Sequence, residues 1–252
     1  MRRLYYTADI DRDVNVQVTG RVAAGSLDRG SGDAPRFSSS ERGLGAILDL
    51  LDGIGIRGTL FFEGRTSEVI DCARAHGHSI GIHGYDHEDL TSLGDDALRD
   101  TLARSSSAVS DRVGRPVCSR APYMTADARV LGAVRRLGIR CDSSFYTEAG
   151  SPSEPFLLED MVEFPVNRAR DPGGKVIAAY LWPMHEGRRG PEDYIAMAAS
   201  AEGDVVLADH SWHMVETRDG GVMSREDAAK ASDDVRRVIE GILDLGFRPG
   251  VI

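Results

Sequence analysis

Gly81-Ile82-His83-Gly84-Tyr85-Asp86-His87-Glu88 places two histidines four residues apart in a glycine-rich segment, directly after the apolar Ile80-Gly81-Ile82. Imidazole is the commonest metal ligand in proteins, and two imidazoles on one short turn can grip one ion. Such pairs also arise by chance. What adds weight is an acidic pair near the N-terminus, Asp9 and Asp11. The rest of the chain reads as the scaffold that brings these groups together.

Residues 3–9, rich in aromatics and ending in acids, read as a first strand. Positions two apart on a strand face the same side, so Asp9 and Asp11 can point together from its C-terminal end. The alternative is a solvated turn holding Asp9, Asp11 and Asp13. Residues 14–37, full of Gly, Ser and Asp, read as a long loop. Ser38-Ser39-Ser40-Glu41 reads as a serine-capped helix start, continued by Leu44, Ile47, Leu48 and Leu51. Further strands are expected at 58–62, 78–82, 117–123, 139–142, 162–166, 176–182 and 204–208. Helices are expected at 68–76, 95–113, 127–137, 191–201 and 224–245. Both His83 and Asp9 then lie at the same rim of a sheet, whereas His76 and His78 sit at the opposite end as surface or capping residues. About seven strand–helix pairs in alternation imply an α/β fold with parallel strands and right-handed crossovers. The length suggests a distorted parallel (β/α)-barrel in a single domain, 1–252. Sites in such folds lie at the C-terminal ends of the strands.

Composition narrows the function. The formal charge of −10 disfavours nucleic acid and anionic membrane surfaces as partners. No apolar run approaches the length of a membrane span, and the N-terminus carries no apolar signal-peptide core, so a cytoplasmic location is expected. Cys72, Cys118 and Cys141 form no CxxC pair, which argues against a disulfide framework or a cysteine zinc site.

Five short segments, each at an expected strand end, resemble the polysaccharide deacetylases with a NodB-like domain, carbohydrate esterase family 4. They are Thr7-Ala8-Asp9-Ile10-Asp11, His83-Gly84-Tyr85-Asp86-His87, Arg120-Ala121-Pro122-Tyr123, Asp142-Ser143-Ser144-Phe145 and Leu207-Ala208-Asp209-His210. Many members carry adjacent aspartates in the first segment; here Ile10 separates them. This Asp-x-Asp form is similar to a branch with peptidoglycan-deacetylase-like, allantoinase-like and lipid-linked amino-sugar deformylase members.

The resemblance implies a divalent metal on Asp11, His83 and His87, leaving positions open for water and substrate. Zinc is the default for two nitrogens and one oxygen; cobalt, nickel, manganese or iron suit the same ligands. It further implies Asp9 as general base, although spacing alone leaves Asp9 and Asp11 interchangeable. His210 would be the general acid for the leaving amine, with Asp142 as its orienting partner. Arg120 would pair with Asp9 and lower its pKa, and the Tyr123 backbone N–H would help form an oxyanion hole. Trp182 and Trp212 are the only tryptophans. They are candidates for walls against a sugar ring, with core packing as the alternative, and His185 and His213 lie near them. The expected activity is hydrolysis of an N-acyl group, acetyl first, from an amino sugar or related glycoside. Hydrolysis of a formamide or cyclic ureide is the alternative, and a non-catalytic carbohydrate-binding module a third reading. Partners are then a small molecule or glycoside, and a homo-oligomer if an apolar strand edge is exposed.

Overall fold

The computed structural model describes residues 1–11, 37–218 and 220–252. The expected loop at 14–37 thus lies almost wholly outside the described residues.

Strand β1 (Arg3–Ile10) is buried at every position but the first, as a strand covered on both faces must be. It is followed by α1 (Ser38–Ile54), β2 (Thr59–Phe62), α2 (Gly64–Val69), β3 (Ser79–Ile82), α3 (Asp95–Arg112), β4 (Cys118–Ser119), α4 (Ala128–Arg136) and β5 (Cys141–Asp142). Strand and helix alternate this far. Then come β6 (Phe156–Leu158), β7 (Met161–Glu163), β8 (Arg168–Arg170), β9 (Val176–Ala178), α5 (Trp182–His185), α6 (Pro191–Ser200) and β10 (Val205–His210). The chain closes with β11 (Glu216–Thr217), β12 (Gly221–Val222), α7 (Arg225–Asp244) and β13 (Arg248–Gly250).

Among the described residues, nine strands form one sheet in the order β10-β1-β2-β3-β4-β5-β7-β6, with β13 also on β1. All its pairings are parallel except β6 with β7. The sheet curls into a half-barrel, and α2 packs on α3, α3 on α4, α6 on α7 and α7 on α1. No ladder joins β7 to β10 in that order. Side-chain and single-bridge contacts span the gap instead: Val206 N–H donates to Asn167 Oδ1 at 2.7 Å, and Tyr180 bridges Ala208.

Register is what positions the site. Asp9 lies opposite His210, and Phe62 opposite Ile82, which in turn lies opposite Ser119. The ladder continues one residue past each strand. His83 N–H donates to Phe62 O at 2.8 Å, Arg120 N–H to Ile82 O at 2.9 Å, and Ser143 N–H to Ser119 O at 2.9 Å. His210 and Asp9 therefore stand in one row with Phe61 and Gly81, and His83, Arg120 and Ser143 in the next same-face row, two residues further towards the C-terminal rim.

Two glycines permit close packing there. A Cβ on Gly81 would lie 2.4 Å from Phe61 Cδ1 and 2.8 Å from Cys118 Sγ. A Cβ on Gly43 of α1 would lie 1.7 Å from the Ser211 carbonyl oxygen, just after β10. Helix α1 thereby seats directly on the turn that follows His210.

Several expectations are corrected. Ser38, Ser39 and Ser40 lie inside α1, whose N-cap is Phe37. Ser39 Oγ donates to Glu216 at 2.6 Å and Ser40 Oγ to the Asp11 carbonyl, so these serines anchor the site rather than cap the helix. The helix expected at 68–76 is α2, which starts at Gly64 and stops at an extended Ile70, followed by a 3-10 turn at Ala73–Ala75. Beyond β5, alternation gives way to the β6–β7 and β8–β9 antiparallel hairpins, so fewer than seven regular strand–helix units are present among the described residues.

Gly43→Ala should destabilise the fold by about 1–3 kcal/mol, because backbone must move. Gly45→Ala on the same helix, with nothing within 4 Å of its Cβ, should be neutral or stabilising. Urea unfolding of both variants checks this; equal effects would contradict the close seating of α1.

Candidate active site

Asp11, His83 and His87 each offer one ligand atom, and these atoms lie within 4.8 Å of one another; all three residues are buried. His87 Nε2 is 3.5 Å from Asp11 Oδ2. His83 Nδ1 lies 2.9 Å from the Arg120 carbonyl oxygen. A carbonyl only accepts, so Nδ1 carries the hydrogen and Nε2 is left with a lone pair. That is the tautomer a metal-ligating histidine needs, fixed by its outer hydrogen bond. The donor set thus fits a divalent cation. His87 adopts φ +55 and follows Gly84 at φ +68, so the turn that brings the second imidazole back is left-handed twice.

Asp9 stands beside this cluster in a different environment. Its Oδ1 accepts from Arg120 Nη1 at 3.0 Å, and its Oδ2 accepts from the Tyr180 hydroxyl. His83 Nε2 is 4.0 Å from Oδ2. Burial alone would push the Asp9 carboxyl up; Arg120 first, then His83, His210 and the Tyr180 hydroxyl, outweigh it and hold the group below the usual carboxylate range. Arg120 is fully enclosed, not a surface arginine. It also donates to Thr7 Oγ1 at 2.8 Å, to Ser143 Oγ at 2.8 Å and to the Ser143 carbonyl at 2.9 Å.

His210 faces Asp9 through Tyr180, whose hydroxyl lies 3.1 Å from His210 Nε2. Burial first, then His213, Arg218 and His83, push the His210 imidazole well below its usual pKa despite the opposing pull of Asp9. Tyr123 lies with its ring edge-on to His87, centroids 4.7 Å apart, and both Tyr123 (φ +61) and Met124 (φ +53) are left-handed. Consecutive non-glycine residues in that region store strain, which clusters at functional sites.

Three expected residues lie elsewhere. Asp142 does not meet His210. Its Oδ1 accepts from Ser119 Oγ and its Oδ2 from the Ser144 N–H at 3.1 Å, and it is hydrogen-bonded to Glu163, its register partner on β7. Two buried carboxyls this close cannot both ionise. Burial and then Asp142 push Glu163 up to about 10, so it keeps its proton and donates. Trp212 is 1 % exposed. Its ring lies against His213, tilted by 32° with centroids 3.5 Å apart, a core position rather than a sugar-facing wall. Trp182 is half-buried and covered by the guanidinium of Arg218 at 4.6 Å. The side chains of His185 and His213 are likewise buried, stacked on each other, with His213 next to His210. His78, at the far end of β3, is buried and accepts from the Gly58 N–H at 3.1 Å.

Tyr180 was not singled out by its sequence context. A tyrosine in an expected strand reads as a core aromatic, and nothing in spacing distinguishes it. Its approach to Asp9 follows from the isolated bridge to Ala208.

A parallel α/β half-barrel with a buried Asp-His-His cluster at its C-terminal rim defines a scaffold for a metal centre. The sequence profile described as polysaccharide deacetylase matches residues 18–141. That match covers 124 of the 252 residues. A peptidoglycan deacetylase-like protein of Gibberella zeae is 28% identical over 168 residues, 60% of this chain and 49% of that protein. A chitin deacetylase of Pestalotiopsis sp is 29% identical over 114 residues, 42% of this chain and 37% of that protein. The matches thus span about half the length of these relatives or less. The structure of a family 4 carbohydrate esterase from Streptomyces lividans in complex with acetate shares the fold, with TM-score 0.58 at 14% identity over 99% of this chain and 92% of that one. No described helix is long and apolar enough to cross a membrane.

The Asp142–Glu163 pair generates a pH prediction. The Glu163 carboxyl is pushed from its ordinary 4.5 up to about 10 by burial and by Asp142, so its proton is held in the folded state across that interval. The corresponding stability is complete below the lower value and is lost as pH rises towards the higher one, by up to about 1 kcal/mol per pH unit. Glu163→Gln keeps a donor to Asp142 and cannot ionise. Urea unfolding at pH 5, 7 and 9 should show the variant gaining on the wild type as pH rises; parallel curves would contradict a shared proton.

Proposed function

We propose that this protein is a metal-dependent amide hydrolase that removes an N-acyl group, acetyl first, from an amino sugar or related glycoside, with residues 1–252 forming one NodB-like deacetylase domain. The observation that carries this reading is the division of the two acids. Asp11 lies with His83 and His87, whereas Asp9 lies with Arg120 and, through Tyr180, with His210. Chitin deacetylase and peptidoglycan deacetylase-like relatives support an amino-sugar amide as substrate class.

Asp11, His83 and His87 would hold the cation, zinc by donor type, with cobalt, nickel, manganese or iron as alternatives. When bound, a divalent cation supplies Lewis acidity to water and to the acyl carbonyl. Asp9, kept ionised by Arg120, takes a proton from water as its oxygen bonds to the carbonyl carbon. Tyr123 Cα carries the left-handed turn whose N–H is the oxyanion donor in this reading. The C–N bond then breaks, and the nitrogen leaves as an amine with a proton delivered from His210 Nε2. A neutral, buried His210 must first receive that proton. Once Asp9 carries it, the Tyr180 hydroxyl can turn, accept from Asp9 and donate to His210 Nε2. The acyl group leaves as the carboxylic acid and the sugar as its amine, with Asp9 and His210 back in their starting states; the acid's proton then passes to the amine or to solvent, so atoms and charge balance.

Metal analysis and turnover separate the roles. Asp11→Ala should lose the metal, whereas Asp9→Asn and His210→Ala should retain it and lose about 10²–10⁴-fold in kcat. Tyr180→Phe should retain metal and also slow turnover. The substrate panel is N-acetylglucosamine oligomers, formamides and cyclic ureides. Turnover of ureides or formamides alone would replace the sugar reading with another amide; a metal-loaded protein that hydrolyses none would overturn catalysis in favour of binding.

A further inference from the structure

His210 has a second ring nitrogen, and the carboxylate expected beside it is not there. Asp142 is committed to Ser119, Ser144 and Glu163. Asp209, the preceding residue, is committed as well: it accepts from His185 Nε2 at 3.0 Å, from the His210 backbone N–H at 2.9 Å and from the Tyr6 hydroxyl at 3.2 Å. What faces His210 Nδ1, at 3.3 Å, is Nδ1 of His213. The other nitrogen of His213, Nε2, lies 3.2 Å from Glu186 Oε1, which also accepts from the Arg218 N–H at 2.8 Å. The side chains of His213 and Glu186 are 0% and 3% exposed.

Hydrogen-bond direction along this chain is determined at its far end. A carboxylate oxygen only accepts, so the hydrogen of His213 sits on Nε2. Burial first, then His185 and Arg218, keep His213 neutral, so its Nδ1 bears a lone pair. His210 Nδ1 must then donate, which leaves Nε2 as the basic nitrogen of His210. Nε2 is the atom that faces Tyr180 and Asp9.

We propose that Glu186 and His213 are positioning residues that hold His210 in its Nδ1–H tautomer, keeping Nε2 open to receive and deliver the proton. The catalytic part of this statement rests on the deacetylase reading; the tautomer itself does not. The usual arrangement, a carboxylate directly on the second nitrogen, does the same work in serine hydrolases; here a second imidazole is interposed. Trp212, tilted against His213 at 3.5 Å and 5.6 Å from His210, and His185, stacked on His213 at 5.6 Å, pack against the two rings. With the single Tyr180 hydrogen on Asp9, His210 Nε2 accepts nothing from that hydroxyl in the resting site; it gains a donor when the hydroxyl turns from Asp9 towards it.

The test is the tautomer state of His210 and His213 in zinc-loaded protein carrying ¹⁵N-histidine, read at neutral pH from long-range ¹H–¹⁵N correlations. The expected result is Nε2–H on His213 and Nδ1–H on His210. Glu186→Ala should mix the tautomers of both rings and lower kcat about tenfold with KM little changed. Glu186→Gln, whose amide oxygen can still accept, should restore most of both. Wild-type His210 in the Nε2–H form, or an unchanged His210 tautomer in folded Glu186→Ala, would overturn the inference and leave the deacetylase reading standing. The expected tautomers without turnover of any amide would overturn the positioning role through the deacetylase reading, and that loss would be visible separately. The wild-type measurement stands even if the variants fail to fold.

Discussion

The buried guanidinium of Arg120 holds the site together. It makes an ion pair with Asp9 and hydrogen bonds to Thr7 on the same strand and to both the hydroxyl and the carbonyl of Ser143 after β5. Its own carbonyl oxygen orients His83. One residue therefore ties together the strand that carries the acids, the histidine loop and the far side of the sheet. Burying two charges is expensive unless their remaining hydrogen-bonding capacity is filled. Here Arg120 donates once from Nε, once from Nη1 and twice from Nη2. Removing either partner would leave an unpaired buried charge, a loss of about 3–5 kcal/mol. The Arg120–Asp9 pair thus serves the fold and the chemistry at once.

Parallel register converts this pair into a site. Because β10, β1, β2, β3, β4 and β5 are neighbours in the sheet, residues that end consecutive strands stand side by side at the rim. Glycine at position 81 lets β3 approach Phe61 and Cys118, and glycine at 43 lets α1 press on the turn after His210. The serines at the start of α1 reach Asp11 and Glu216. Packing outside the sheet and polar contacts at its rim are parts of one constraint.

Much of this arrangement was legible in the residues. Asp9, Asp11, His83, Arg120 and His210 lie at or just past the ends of strands and His87 on the turn after His83; the two acids and two histidines stand out by spacing, Arg120 and His210 through the resemblance, and the structure brings all six together. Asp142 was misplaced because its partner, Glu163, is a carboxyl on a strand of only three residues; nothing in the sequence tells a shared proton from an orienting carboxylate. Glu186 and Tyr180 were missed for a related reason. They come from the stretch between β7 and β10, where regular alternation ends and position depends on single bridges and side-chain contacts. Polar β8, with arginines at both ends, offers no alternating pattern to read. Trp212 belongs to the core because the turn after His210 is pinned beneath α1, a contact between residues far apart in the chain.

All of this depends on Asp11 and Asp9 having different partners, one with the imidazole pair and the other with the guanidinium. An anomalous-scattering map from crystals of the metal-loaded protein would resolve the two. The expected result is one ion, about 2.0–2.2 Å from an Asp11 oxygen and from Nε2 of both His83 and His87, with Asp9 outside its shell and still on Arg120. An ion ligated by Asp9 instead of Asp11, or seated away from His83 and His87, would contradict it.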